Sequence, residues 1–138
     1  MTFHGECLCG AVKVSAEASD PALRACHCEM CRKHTSSMFM SLKFDQDTIK
    51  IEGPVKTYES SDWAVRGFCD TCGSTIFYGE RNGPGRNLAA GLFENAIGAP
   101  MVLEFYEDNC PNAYRLESTG QQKLSREETI ALFTGDDA

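Results

Sequence analysis

Cys69-Asp-Thr-Cys72-Gly73 is the stretch whose reading decides the fold. Two cysteines separated by two residues can curl around one metal ion, and a glycine after them permits the tight turn that aims backbone N–H groups at the sulfurs. The stretch lies between two strand-like runs, Val65–Phe68 and Thr75–Tyr78, so it reads as the tip of a hairpin. A tetrahedral thiolate site needs two more ligands, and Cys7-Leu-Cys9 can supply them. In extended backbone, side chains repeat every second residue, so Cys7 and Cys9 are expected to point the same way. Together, Cys7, Cys9, Cys69 and Cys72 would make a closed site that pins the N-terminal segment to a distant hairpin, where metal binding is folding energy.

A further cluster, Cys26-His-Cys28-Glu-Met-Cys31, places three cysteines within six residues. Three protein ligands and one open position is the pattern of catalytic zinc sites. On ligand chemistry alone this site could equally be closed and structural, with His34 or Cys110 as the fourth ligand. Cys110, in Asn109-Cys-Pro-Asn112, otherwise reads as a small apolar residue. His27 stands between two ligands, so in extended backbone it points away from them, either to the surface or in a supporting role. A redox reading of the Cys-x-x-Cys pair wants a βαβ setting, which the pattern lacks.

Working outward, Val12 and Val14 alternate with Lys13 and Ser15, the period of a half-buried strand. Similar runs are Met38–Phe44, Thr48–Glu52, Val55–Tyr58, Asn87–Leu92 and Val102–Tyr106, separated by Gly, Pro, Asp and Asn. Two helices are expected: a short one after Cys28, and one over about 126–133, where Ser125 and Glu128 form a capping box. The fold class is therefore mainly β, largely antiparallel, with little helix. The Gly79–Arg86 segment reads as a flexible loop without phosphate-binding spacing.

With 138 residues, 42% hydrophobic and 24% charged, residues 1–138 are expected to form a single domain with one core. No apolar run approaches the roughly 20 residues of a membrane helix, and Met1–Gly10 shows no signal pattern. The expected location is the cytoplasm, where clustered cysteines bind metal or do redox chemistry rather than form disulfides. A net charge of −7 with thinly scattered Lys and Arg argues against nucleic acid as a partner and leaves a small neutral or thiol ligand.

Three segments resemble, in order and spacing, the glutathione-dependent formaldehyde-activating enzyme family, which includes the centromere protein V domain. They are Gly5-Glu-Cys-Leu-Cys-Gly-Ala-Val12, Cys26-His-Cys-Glu-Met-Cys-Arg-Lys33 and Phe68-Cys-Asp-Thr-Cys-Gly-Ser74, and the resemblance covers about residues 3–110. It implies a zinc-pinned fold of folded antiparallel sheets and two zinc ions per chain. Cys7, Cys9, Cys69 and Cys72 would hold the structural ion, and Cys26, Cys28 and Cys31 the second, reactive one. It also implies a carbon–sulfur lyase with glutathione as the small thiol partner, reversibly joining it to formaldehyde as S-hydroxymethylglutathione. The basic N-terminal extension of the centromere protein is missing, which argues against a chromatin role.

Three thiolates around a divalent ion leave the site net negative, a poor setting for ionising water. It suits an exchangeable fourth thiolate better, because a coordinating thiol is deprotonated outright, whereas a free one has a pKa of about 8.5. Glu29 and His34 are the nearest candidates for moving a proton. Arg32 and Lys33 could hold a glutathione carboxylate or form an exposed cationic pair on a helix. Trp63 reads as a core or pocket residue. The alternatives to an enzyme are a non-catalytic zinc- or glutathione-binding carrier and a structural zinc interaction domain.

Overall fold

A computed structural model describes residues 1–134. In chain order the strands are β1 (Thr2–Glu6), β2 (Lys13–Glu17), β3 (Ala22–Cys26), β4 (Phe39–Lys43), β5 (Lys50–Glu52), β6 (Val55–Glu59), β7 (Ala64–Cys69), β8 (Thr75–Glu80), β9 (Arg86–Ala89), β10 (Met101–Phe105) and β11 (Gln122–Lys123). The two α-helices are α1 (Glu29–Thr35) and α2 (Arg126–Thr134). The protein is thus mainly β, as its short alternating runs indicate. The described residues divide into two compact units: Met1–Ala22 with Ser41–Pro100, and Leu23–Met40 with the chain from Met101 onward.

In the first unit β1, β2 and β5 form an antiparallel sheet in that order. Along β2, Val14 and Ala16 are buried while Lys13 and Glu17 are exposed, the pleat alternation that sorts one face inward. Strands β6 to β9 pair antiparallel in succession, and Leu42 of β4 pairs with Leu88 of β9. Leu42, Ile76 and Leu88 are at most 1% exposed, each burial contributing about 1.5–3 kcal/mol. Phe44 packs against Phe93 and Phe3 with ring centroids 5.1 and 6.3 Å away, tilted aromatic contacts that add to the area term. The glycine-rich segment after β8 is tied down: Arg86 Nη1 donates to the carbonyls of Glu80, Gly83 and Gly85.

In the second unit β3, β10 and β11 pair in parallel, with Phe105 opposite Cys26 and Glu104 opposite both Ala25 and Lys123. The antiparallel expectation therefore describes the first unit. Parallel pairing joins strands distant in sequence, which no local pattern announces. Helix α2 carries the expected capping box: Glu128 N donates to Ser125 Oγ at 3.1 Å, and Ser125 N donates to Glu128 Oε1 at 3.0 Å. Among the described residues no helix is long and apolar enough to cross a membrane.

Candidate metal centres

The first cluster lies within the first unit. The sulfurs of Cys7, Cys9, Cys69 and Cys72 all lie within 4.8 Å of one another and could hold a metal ion. Cys69 ends β7, and the chain turns through Cys72 into Gly73 (φ 77°), whose N–H donates to Cys69 O at 2.9 Å. That left-handed backbone is where glycine is needed. Cys72 N donates to Cys69 Sγ at 3.5 Å, the N–H···S contact expected of this turn.

Cys7 and Cys9 converge differently from the extended segment expected. β1 stops at Glu6, and Cys7–Gly10 is itself a turn: Gly10 (φ 80°) donates to Cys7 O at 3.0 Å, and Val12 N donates to Cys7 Sγ at 3.3 Å. The physical reason is Gly10, whose left-handed φ reverses the chain where a strand would continue. The sulfurs still meet, Cys7 to Cys9 at 3.6 Å and Cys9 to Cys69 at 3.8 Å.

Ser74 joins the two turns. Its Oγ accepts from Leu8 N at 3.1 Å and lies 3.2 Å from Cys72 Sγ. The Ser74 hydroxyl and then its backbone N–H hold the Cys72 thiol down at about 5, against an ordinary 9.0. For Cys9 the Ala11 N–H favours the thiolate, but burial and the hydrogen bonds of Cys7, Cys72 and Cys69 prevail and push it up to about 11. A cation bound among them would favour the thiolate form of all four at neutral pH. Without the Ser74 hydroxyl Cys72 should be held as a thiolate less firmly, so in the Ser74→Ala variant falling pH should release metal from the first site at a higher pH than in the wild type. Metal release followed against pH that coincides in the two proteins would contradict the assignment.

The second cluster lies within the second unit. The sulfurs of Cys26, Cys28 and Cys31 lie within 4.8 Å of one another, and among the described residues no fourth His, Cys, Asp or Glu joins that group. Cys26 ends β3, Cys28 is the N-cap of α1, and Cys31 lies in its first turn with N donating to Cys28 Sγ at 3.3 Å. The helix start therefore aims one N–H at a sulfur of the cluster. Hydrogen bonds from Cys28 and Cys31, then burial, push the Cys26 thiol far up, the consequence of three thiols crowded together.

The neighbours settle several expectations. Cys110 is buried, and its Sγ faces Pro111 O at 3.6 Å. Arg32 Nε donates to His27 O at 3.0 Å, so this cation anchors backbone, while Lys33 pairs with Glu29 at 3.3 Å on the surface. Trp63 is 59% exposed and so not a core residue, because it sits in the turn between β6 and β7 rather than on an inward strand position. His27 takes the buried alternative rather than the surface one, and two residues emerge that sequence reasoning passed over, Glu104 and Tyr106. His27 is buried against Glu104. Tyr106, left-handed at φ 53°, follows Phe105 at the end of β10. Burial raises the Tyr106 phenol, and the charges of Cys28, Cys26 and Cys31 raise it further. An aromatic at a strand end gives no local signal of this setting.

A mainly β protein with two thiol clusters, each able to hold a metal ion, is the class that fold and sites define. Within that class, the chain belongs to the family of glutathione-dependent formaldehyde-activating enzymes, whose model matches residues 2–109. It is 34% identical over 114 residues to an uncharacterized lyase of Schizosaccharomyces pombe, covering 81% of this chain and 83% of that one. A crystal structure of a Rhodobacter sphaeroides protein matches with a TM-score of 0.55 over 72% of this chain and 100% of its own, and at 22% identity it shares the fold alone. Family and lyase-named relative together support an enzyme of lyase type.

Proposed function

We propose that this protein is a zinc-dependent carbon–sulfur lyase acting on adducts of glutathione with small aldehydes, S-hydroxymethylglutathione being the type substrate. The observation that carries the reading is the second cluster: three sulfurs within 4.8 Å, with no fourth protein donor in the group among the described residues. In this reading Cys7, Cys9, Cys69 and Cys72 hold a closed structural zinc. Cys26, Cys28 and Cys31 hold a second zinc with its fourth position open. Zinc bound there supplies ionisation of the substrate thiol at neutral pH. A reducing cytoplasm, which keeps thiols unoxidised, suits both clusters.

The remaining work falls to the chain. In synthesis the glutathione sulfur forms a bond to the aldehyde carbon, the carbonyl π pair moves to oxygen, and that oxygen takes a proton. In cleavage the hydroxyl proton leaves, the carbonyl re-forms and the C–S bond breaks. We assign that proton to Tyr106, whose phenol is raised chiefly by burial and so stays protonated at neutral pH. Tyr106→Phe is expected to slow turnover by about 10²–10⁴-fold with unchanged metal content. Full activity in that variant would assign the proton to solvent.

The test of the function is turnover of the glutathione–formaldehyde adduct by zinc-loaded protein, set against the spontaneous rate. Acceleration that disappears on chelation supports the lyase. Glutathione binding without acceleration indicates a carrier, and absence of both indicates a structural interaction domain.

A further inference from the structure

The buried polar chain behind the second cluster has no part in the chemistry above. The Cys26–Cys28 segment is extended, with Cys26 closing β3 and Cys28 at φ −62°, ψ 158°. Alternation in extended backbone turns the His27 side chain away from the two sulfurs. That side chain is 1% exposed, and so is Glu104. His27 Nε2 lies 2.7 Å from Glu104 Oε1. Glu104 Oε2 accepts from Gln121 Nε2 at 3.0 Å and has Lys123 Nζ at 3.8 Å. Gln121 is held in turn, donating to Glu117 O and accepting from Thr119 N, both at 2.7 Å. The His27 peptide groups are tied as well: its N–H donates to Phe105 O at 3.0 Å, and its carbonyl accepts from Arg32 Nε at 3.0 Å.

The Nε2 atom, the N–H and the carbonyl of His27 are thus all engaged by β10 or α1. Buried polar pairs of this kind are poor sources of stability, since apolar residues of equal volume often serve as well. What such a pair does supply is a fixed orientation. We infer that the His27–Glu104–Gln121 chain is a positioning device, locking the peptide between Cys26 and Cys28 from behind so that the three sulfurs stand preformed around a metal ion. The inference rests on the proposed reading that this cluster holds metal. Partners that orient metal ligands from outside the coordination sphere typically change metal affinity by about 10–100-fold, and His27 reaches two ligands through one residue.

The experiment uses the full chain loaded with cadmium, observed by cadmium NMR with chelator competition for affinity. Wild type should show two resonances. His27→Ala should weaken the second site by about 10–100-fold and move or broaden its resonance, leaving the first site's resonance and affinity unchanged. His27→Gln, whose amide can donate to Glu104 from the same reach, should restore most of the affinity. Gln121→Ala removes the outer support and should give a smaller loss confined to the second site; it carries the test if His27→Ala does not fold. Unchanged second-site affinity in the variants overturns the inference. So does equal loss at both sites, or His27→Gln behaving no better than His27→Ala. A wild type that binds only one cadmium instead sinks the two-metal reading, and this inference with it.

Discussion

Replacing Cys69 with Ser is expected to leave a chain that does not unfold cooperatively, because it has no stable fold to lose. Cys69 is fully buried, and its sulfur meets Cys9 across 60 residues of sequence. Metal at this site would tie the Cys7–Gly10 turn to the β7–β8 turn, closing a long loop. Structural zinc in small domains contributes about 10–16 kcal/mol of apparent folding energy, comparable with the whole ~5–15 kcal/mol stability of a domain. Losing one of four thiolates forfeits much of that and leaves a buried cluster incomplete. Circular dichroism melts with metal analysis should show loss of both structure and zinc, and strong chelators should do the same to wild type. A cooperative melt within a few degrees of wild type would contradict a structural role for this cluster.

Cys28→Ser is expected to do the opposite: keep the fold, and lose the second metal with turnover falling to the spontaneous rate. Cys28 is the N-cap of α1, its sulfur accepting from Cys31 N. Serine is among the best N-cap residues, and its hydroxyl can take over that bond, so the helix start survives. What is lost is one of three sulfurs, and a site with two has little hold on zinc. Thermal midpoints near wild type, with half the zinc and no catalysis, are the predicted outcome. If Cys28→Ser unfolds the chain as Cys69→Ser does, the division into structural and reactive clusters is wrong.

The cysteines replaced in both variants were legible in the sequence, because thiol spacing reports ligand geometry over a few residues. The same holds for the Ser125–Glu128 capping box and for the alternating residues of β2. Strand β3 gave no such signal, since Ala22–Cys26 is half-buried along most of its length and shows no alternation. The two-residue β11 is too short to have a period. The cysteines of Cys7–Gly10 were recognisable but their turn was not, because Gly10 acts through its φ rather than its composition. His27 and Glu104 meet across 77 residues, a contact created by the parallel pairing of β3 with β10 and invisible to any local reading. Tyr106 owes its place to the same pairing.

The central claim is that the second cluster presents zinc with an exchangeable position for a thiol. Zinc X-ray absorption spectroscopy on the fully loaded protein, with and without glutathione, measures this directly. The account predicts that adding glutathione replaces an oxygen or nitrogen contribution with sulfur and raises the mean number of sulfurs around zinc. A spectrum in which every zinc is already fully coordinated by protein ligands, and which glutathione leaves unchanged, would contradict it.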